Sequence, residues 1–415
     1  MSQDHRLEAI TELSKEFKLH ETKYEAAKAA MEKDKDKESD ARFEARTHLQ
    51  RCLGVLIKLK KKYFDYSFED EKFENYVTKC ERKIAELKKE LECLGSSMSG
   101  IPDTSFDDVA GLEDVKTVIK NYLFALKNPD LAKKYRIETN IGLLLYGPPG
   151  TGKTLIAEAI AHELGVRFFM ITPSQVFGSY VGESERNIKE IFAELRACED
   201  GAVLLIDECE SIFGKRTGDS NRAAIGVANQ LLQEMNGAAD SANEKRVIIG
   251  ATNRPQMIDE AYLRYKRFSL HFYIGMPEPQ AIKTLLDLKL DKLSCDPLLK
   301  GKMYNALTER SNYTSVFDLG IDDIQLNNAD FRNKMKNVFE KSSKYTCADV
   351  SNIISQCSNL ALQEHRICIE NGKKVDDVVD LSIEHFNKVM QTFKPSVTPK
   401  DILQYMIFEE NRSSK

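Results

Sequence analysis

The chain has 415 residues, of which 42% are hydrophobic and 30% charged, with a formal net charge of −5. This length is enough for two or three domains with a sizeable core, and the acidic balance argues against a general affinity for nucleic acid. The nine cysteines include no CxxC pair, which argues against a zinc site or a disulfide framework. No apolar run is long enough for a membrane span, and the start lacks a secretory signal. We therefore expect a soluble protein of the cytoplasm or nucleus.

Residues 1–95 predict an all-helical N-terminal region, because they contain no Pro and are rich in Glu, Lys, Ala and Leu. Ser67 and Asp70 resemble a capping box that opens the last helix of this region. That helix carries apolar residues four and three apart alternately, a heptad seam made of Phe73, Val77, Cys80, Ile84, Leu87, Leu91 and Leu94. The seam fits a helical bundle within the chain or a short coiled coil between subunits, and in either form the region would recruit partners.

Residues 96–103 predict a flexible linker, because Gly and Ser dominate them. Residues 104–276 then predict an α/β domain, since helical patterns alternate with five apolar runs: Leu143–Tyr146, Phe168–Ile171, Val203–Ile206, Val247–Gly250 and Leu270–Ile274. Such alternation is typical of a parallel sheet flanked by helices, with ligands at the carboxyl ends of the strands. Residues 277–415 read as a smaller helical domain, interrupted by an aperiodic insertion near 296–328.

The first apolar run leads into a phosphate-binding loop of the pattern G-x-x-x-x-G-K-[ST], followed by a helix. Glycines let backbone N–H groups approach a triphosphate, and the helix adds its positive end. Lys153 can reach the β- and γ-phosphates, and the hydroxyl of Thr154 can ligate Mg²⁺. The sequence therefore predicts binding of ATP with Mg²⁺ at Gly147, Pro148, Pro149, Gly150, Thr151, Gly152, Lys153, Thr154 and Leu155.

Two further strands end in polar residues suited to hydrolysis. Asp207 follows Val203–Ile206 and can hold Mg²⁺ or its waters, while Glu208 can orient and deprotonate a water that attacks the γ-phosphate. Asn253 follows the next strand, would lie beside Asp207, and could help to position that water. An acidic pair after an apolar strand is common, so this interpretation depends on the phosphate-binding loop in the same sheet.

From Thr104 onward the chain resembles one module of the AAA family, the ATPases Associated with diverse Activities. The resemblance rests on five segments in the family's order: Ser105–Glu113, Gly147–Thr154, Ile206–Glu208, Ala251–Pro255 and Lys394–Asp401. The last segment is similar to those of the valosin-containing-protein type and of the meiotic group, which holds katanin, spastin and the ESCRT-disassembling ATPase. The resemblance implies the P-loop fold with a C-terminal helical lid, here residues 277–415.

The resemblance also implies roles for residues that no spacing argument assigns. Arg264 and Arg267 would be arginine fingers that reach the γ-phosphate held by a neighbouring subunit, usually within a hexamer. Tyr180 and Val181 would form a pore loop that grips an extended polypeptide, with a second pore loop near 215–220. The adenine would be flanked by Asp108, Gly111 and Ala348.

Three residues depart from the family pattern. Lys344 and Cys347 stand where relatives usually carry glycines, and Gly226 stands where relatives often carry Arg. Cys347 adds a side chain next to the expected base pocket, so nucleotide affinity or selectivity is expected to differ. Every core catalytic position is intact.

These features predict an ATP-driven homo-oligomeric ring that remodels, unfolds or disassembles protein substrates by threading them through a central pore. The N-terminal helices loosely resemble the three-helix module that recruits the ESCRT-disassembling ATPase, so they would bind the substrate or an adaptor. Two alternatives remain open: an ATP-dependent scaffold organised by those helices, and a microtubule-severing ATPase.

Overall fold

The computed structural model describes the chain apart from residues 1–2, 34–44, 46–47, 50, 53–54, 57, 61–71, 94–97, 138–141, 178–182, 197, 199, 215–221, 240–245, 265–266, 292, 309–328, 372–379 and 414–415. The strands are β1 (Met98–Ser99), β2 (Gly142–Tyr146), β3 (Arg167–Ile171), β4 (Ala202–Ile206), β5 (Arg246–Thr252) and β6 (Phe268–Tyr273). The helices before β6 are α1 (Gln3–Lys33), α2 (Lys72–Cys93), α3 (Glu113–Lys127), α4 (Pro129–Lys134), α5 (Lys153–Leu164), α6 (Pro173–Val176), α7 (Glu183–Arg196), α8 (Glu210–Phe213) and α9 (Arg222–Ala239). The helices after β6 are α10 (Pro279–Leu290), α11 (Leu299–Thr308), α12 (Ala329–Lys341), α13 (Cys347–Glu370), α14 (Ile383–Thr392) and α15 (Pro399–Ser413).

The described strands form one sheet in the order β1-β3-β4-β5-β2-β6. The pairs from β3 to β6 are all parallel, which confirms the predicted parallel sheet and its five strands. Helices cover both faces. Alternate strand residues such as Leu144 and Leu204 pack with α7 and α9, while their neighbours Leu143 and Val203 pack with α3 and α5. This double burial explains why the strands are continuous apolar runs rather than alternating ones.

The sheet register brings three functional turns to one edge. Tyr146 of β2 lies opposite Thr252 of β5, and Ile206 of β4 lies opposite Gly250 of β5. Strand β5 is therefore between the strand that leads into the phosphate-binding loop and the strand that leads into the acidic pair. Residues that follow β5 consequently lie between those two turns.

The predicted flexible linker is wrong in one part. Met98 and Ser99 form β1, which pairs antiparallel with Phe169 and Phe168 of β3. The edge of β3 offers unpaired backbone groups, and this pairing satisfies them. Composition could not predict it, because Gly and Ser are typical of flexible segments and a strand of two residues is too short to show a strand pattern.

The predicted aperiodic insertion contains regular structure at its start. Helix α11 lies inside it and buries Leu299, Met303 and Leu307 in the core of the lid. Their four-residue spacing is helical, but three apolar residues are too few to stand out from the flanking sequence. Residues 309–328 of the insertion lie outside the described part of the chain.

The N-terminal helical segments contact each other within the chain. The salt bridge from Lys60 Nζ to Glu81 Oε1 is 2.7 Å long and joins the helical residues near 58–60 to α2. The rings of His20 and His48 stack with their centroids 5.5 Å apart, which joins α1 to the same middle segment. The seam residues Cys80 and Leu87 are buried in this region. The contacts favour an intrachain bundle among the described residues, whereas the predicted capping box at 67–70 lies outside them.

Helix α13 of the lid is fixed at its start by hydrogen bonds to a buried carboxylate. Thr346 and Asp349 form the capping box of this helix, with Thr346 Oγ1 accepting from Asp349 N at 3.0 Å. Asp349 Oδ2 also accepts from Ser396 Oγ at 3.0 Å, in the segment that precedes α15. This network fixes the place where the lid meets the nucleotide-binding domain. Among the described residues, no helix is both long and apolar enough to cross a membrane.

Candidate nucleotide-binding and catalytic site

The phosphate-binding loop has backbone angles that favour glycine. Gly147, Gly150 and Gly152 have φ angles of 151°, 73° and 100°. At Gly147 a Cβ atom would also lie 2.1 Å from the carbonyl oxygen of Ile274, which follows β6. These two constraints explain why glycine stands at the first position of the motif: the loop turns sharply against the neighbouring strand.

Lys153 begins α5 and is buried at the bottom of this loop. Its Nζ donates hydrogen bonds to the carbonyl oxygens of Gly147 at 3.0 Å and of Pro148 at 2.8 Å. Burial lowers the pKa of Lys153 to about 8, although the nearby Asp207 and Glu210 act in the opposite direction. An anion at the mouth of the loop would offset this desolvation, so the site is suited to a phosphate group.

The acidic pair follows β4 directly, in a constrained conformation. Asp207 N donates to Ile171 O at 2.9 Å, and Asp207 Oδ1 accepts from Glu208 N at 2.9 Å. Glu208 has a φ of 48°, a left-handed conformation that costs free energy for a residue with a Cβ atom. Its side chain is exposed, which leaves the carboxylate accessible to water.

Asn253 follows β5 and lines the same cavity as Lys153 and Asp207. Its side-chain oxygen Oδ1 is buried and has no hydrogen-bond partner among the described residues. A buried amide oxygen without a partner is unusual and costs free energy unless a ligand or a water completes it. This atom is therefore suited to a water molecule or a ligand group in the cavity.

The lid contacts the phosphate-binding loop directly. Ala348 N, in the first turn of α13, donates to Gly150 O at 2.9 Å. A Cβ atom at Gly150 would lie 2.7 Å from Ala348 Cβ and 3.0 Å from Thr346 Oγ1. The absence of a side chain at Gly150 therefore allows the lid and the loop to touch, and the position of Ala348 depends on it.

These residues surround a cavity of about 760 Å³ between the sheet edge and the lid. The predicted residues that line it are Asp108, Pro149, Gly150, Gly152, Lys153, Thr154, Leu155, Asp207, Asn253 and Ala348. Five other predicted residues of the site do not line this cavity: Gly111, Gly147, Pro148, Thr151 and Glu208. Gly111 lies behind the wall, where an added Cβ atom would be 2.7 Å from Ala281 Cβ of α10.

Several residues of the lining were not predicted from sequence. They are Asp103, Thr104, Leu285, Leu288, Lys289 and Ser351. Leu285 and Leu288 lie three residues apart on one face of α10. In the sequence alone, this spacing indicates side chains of the hydrophobic core rather than of a ligand cavity. Their place in the cavity depends on how the lid packs, which no local pattern encodes.

Cys347 lines the cavity beside Ala348. This agrees with the prediction that its side chain lies next to the base pocket. Burial raises the pKa of its thiol to about 11, so the side chain is a neutral, weakly polar group. At Gly226, a Cβ atom would lie 2.1 Å from Glu185 Oε1 of α7. The Glu185 side chain thus occupies the space that a larger residue in α9 would need.

The two predicted arginine fingers differ in their surroundings. Arg264 is exposed and lines a second cavity of about 700 Å³ that the segment after β5 forms with α15. Arg267 is half-buried, donates through Nη1 to Ala261 O at 2.6 Å, and lies over the ring of Tyr262. Arg264 is therefore better placed to contact another molecule. The predicted pore-loop residues Tyr180 and Val181 and the second pore loop near 215–220 lie outside the described residues.

Fold and site together define a P-loop nucleotide-binding domain with a helical lid. Comparison with known families gives the same result: residues 143–276 match the model of the "ATPase family associated with various cellular activities (AAA)". Residues 143–276 therefore form a domain of the AAA ATPase family, which confirms the resemblance for the motifs within that range.

A curated relative is Fidgetin-like protein 1 of Drosophila melanogaster, which is 38% identical over 195 residues. The matched part is 47% of this chain and 36% of the relative, so the chain spans only about a third of the length of that protein.

We predict that Gly150→Ala weakens ATP binding, by at least about tenfold in Kd. The new methyl group clashes with Ala348, so the lid must move away from the loop. The matched control is Gly165→Ala at the end of α5, where φ is also positive, at 66°, but no atom lies within 4 Å of the added Cβ.

Gly165→Ala should lose about 1–2 kcal/mol of stability from backbone strain and keep wild-type ATP affinity. Titration with a fluorescent ATP analogue measures both variants, and equal affinity losses would show that the contact with Ala348 does not matter.

Proposed function

We propose that the protein is a Mg²⁺-dependent ATPase that assembles into a ring and uses hydrolysis to remodel protein substrates. The observation that carries the proposal is the cavity in which Lys153, Asp207 and the unpartnered oxygen of Asn253 converge. This set combines a cation for phosphate, a carboxylate for the metal and an acceptor for a water, which are the groups that phosphoryl transfer to water needs. The family model supports the ATPase class.

When bound, Mg-ATP supplies the phosphoanhydride bond whose cleavage releases the free energy for the motor. Lys153 exchanges its hydrogen bonds to the Gly147 and Pro148 carbonyls for contacts with phosphate oxygens. Thr154 and Asp207, which line the same cavity, would hold Mg²⁺ through a hydroxyl and a carboxylate.

Glu208 acts as the general base, taking a proton from the attacking water. Its exposed side chain and left-handed backbone support this role, because strain of this kind is found where a side chain must be aimed. Asn253 Oδ1 orients the same water by accepting its second proton in a hydrogen bond. Arg264 of a neighbouring copy stabilises the charge that develops on the γ-phosphate.

Substrate remodelling extends this chemistry to the whole assembly. In the proposed hexameric ring, Tyr180 and Val181 of each copy line a pore and pull an extended polypeptide through it. The N-terminal bundle brings the substrate or its adaptor to the ring. The exposure of Arg264 supports the assembly, since an arginine finger supplied in trans makes activity depend on a neighbouring copy.

Glu208→Gln tests the proposed chemistry. We expect ATP hydrolysis to fall by about 10²–10⁴-fold while ATP binding is retained, because the amide cannot take a proton but keeps the size of the side chain. ATP should then hold the ring together, which size-exclusion chromatography detects. The control is Glu163→Gln, an exposed carboxylate on α5 outside the cavity. Undiminished hydrolysis by Glu208→Gln would refute the role of Glu208.

Mixing two inactive variants tests whether Arg264 acts in trans. Arg264→Ala should lower turnover by about 10³–10⁵-fold, and Lys153→Ala should abolish nucleotide binding. In mixed rings, a Lys153→Ala copy still lends Arg264 to an intact nucleotide site next to it, so turnover should return. Each variant alone, at the same total concentration, is the control. A mixture no more active than its components would contradict action between copies.

Microtubule severing is the second candidate function. Two observations favour it: the similarity to Fidgetin-like protein 1, and the resemblance of the sequence to the meiotic group that holds katanin and spastin. With ATP, the wild-type protein should then shorten stabilised microtubules in a microscopy assay, and Glu208→Gln should bind them without shortening them. Microtubules left intact and unbound by both proteins would remove this candidate and leave the general remodelling function.

A further inference from the structure

The last helix of the lid, α15, contacts the ends of three strands in the nucleotide-binding domain. Tyr405 OH donates to the backbone oxygen of Asn253, after β5, at 2.6 Å. Glu409 Oε1 accepts from Tyr146 OH, at the end of β2, at 2.8 Å. The ring of Tyr405 also packs on Tyr273, at the end of β6, with centroids 5.9 Å apart. A helix distant in sequence is thus bonded to the frame of the catalytic site.

The bond from Tyr405 is a persistent one. Tyr405 is 6% exposed, so water competes little for its hydroxyl group. Burial, together with the carboxylates of Asp401 and Glu210, raises the pKa of Tyr405 to about 12. The phenol therefore remains protonated, and remains a donor, over the whole physiological pH range.

Asn253 needs such an external support. Its Oδ1 atom has no hydrogen-bond partner among the described residues, so no hydrogen bond to this oxygen fixes the orientation of the side-chain amide. The peptide that joins Asn253 to Arg254 makes two hydrogen bonds: Arg254 N donates to Thr252 Oγ1 at 2.9 Å, and the carbonyl of Asn253 accepts from Tyr405 OH at 2.6 Å. The hydroxyl of Tyr405 is the hydrogen-bond partner that the lid supplies to this planar peptide, and it helps to fix the direction in which the Asn253 side chain leaves the backbone.

We propose that Tyr405 is a positioning residue for Asn253: its hydroxyl sets the orientation in which the Asn253 amide meets the attacking water. The inference rests on the proposed ATPase function and adds a residue that does not line the nucleotide cavity. It also gives α15 a role in turnover, since any movement of this helix relative to β5 changes the hydrogen bond to Asn253.

Tyr405→Phe tests the proposal, because it removes the hydroxyl group and keeps the ring. We expect kcat for ATP hydrolysis to fall by about three- to tenfold, the usual range for one lost hydrogen bond, while the Kd for ATP stays within about twofold of wild type. The matched control is Tyr273→Phe in the same aromatic cluster, whose buried hydroxyl has no hydrogen-bond partner among the described residues. Its kcat should be unchanged.

A double-mutant cycle separates positioning from a general structural effect. If Tyr405 acts through the Asn253 amide, Tyr405→Phe should have no further effect on the single-turnover rate of Asn253→Ala. The same proportional loss in both backgrounds, or parallel losses in kcat, ATP affinity and thermal midpoint, would overturn the proposal. Replacing Tyr405 with 4-aminophenylalanine, which keeps a donor at this place, should restore kcat, and failure to do so would also count against it.

The wild-type enzyme distinguishes failure of this inference from failure of the proposed function. If wild type hydrolyses ATP and Asn253→Ala slows it, but Tyr405→Phe behaves as Tyr273→Phe does, only the positioning role is wrong. If wild type does not hydrolyse ATP under conditions in which it binds ATP, the proposed function is wrong and the inference with it.

Discussion

The hydrogen bond from Ala348 N to Gly150 O joins the two parts of the molecule on which the site depends. One end belongs to the phosphate-binding loop and the other to the first turn of the longest helix described in the lid. Because Gly150 has no side chain, the two backbones can approach this closely. The nucleotide cavity exists only where these parts meet, so the lid is as much a wall of the site as the loop is.

The stability of that contact is provided by groups away from the cavity. Asp349 is buried and accepts hydrogen bonds from both Thr346 N and Ser396 Oγ, so one carboxylate fixes the start of α13 and the approach to α15. Helix α15 in turn bonds to the strand ends through Tyr405 and Glu409. The lid is therefore attached to the sheet at two places, one at the phosphate-binding loop and one behind the catalytic strands.

The geometry of the loop explains how the site is kept ready for an anion. Lys153 is buried, and its ammonium group bonds to two carbonyl oxygens of its own loop. This arrangement satisfies the charge only partly, as the lowered pKa indicates. Asn253 carries an unsatisfied oxygen a short way along the same edge. The folded protein thus bears two local costs at the site that binding can relieve, which is typical of a preorganised site.

The sequence by itself determined the strands, the phosphate-binding loop and the acidic pair, because each is encoded within a few consecutive residues. The apolar runs predicted all five parallel strands. The glycines at 147, 150 and 152 have positive φ angles, as the phosphate-binding motif indicates. Only the tertiary structure decided what lies across from these elements. That Leu285 and Leu288 are cavity walls, that β1 pairs with β3, and that Tyr405 bonds to Asn253 all depend on contacts between residues far apart in the chain. Such contacts are fixed by the packing of whole helices and strands, and the local sequence records that a residue is buried but not which distant residue it meets.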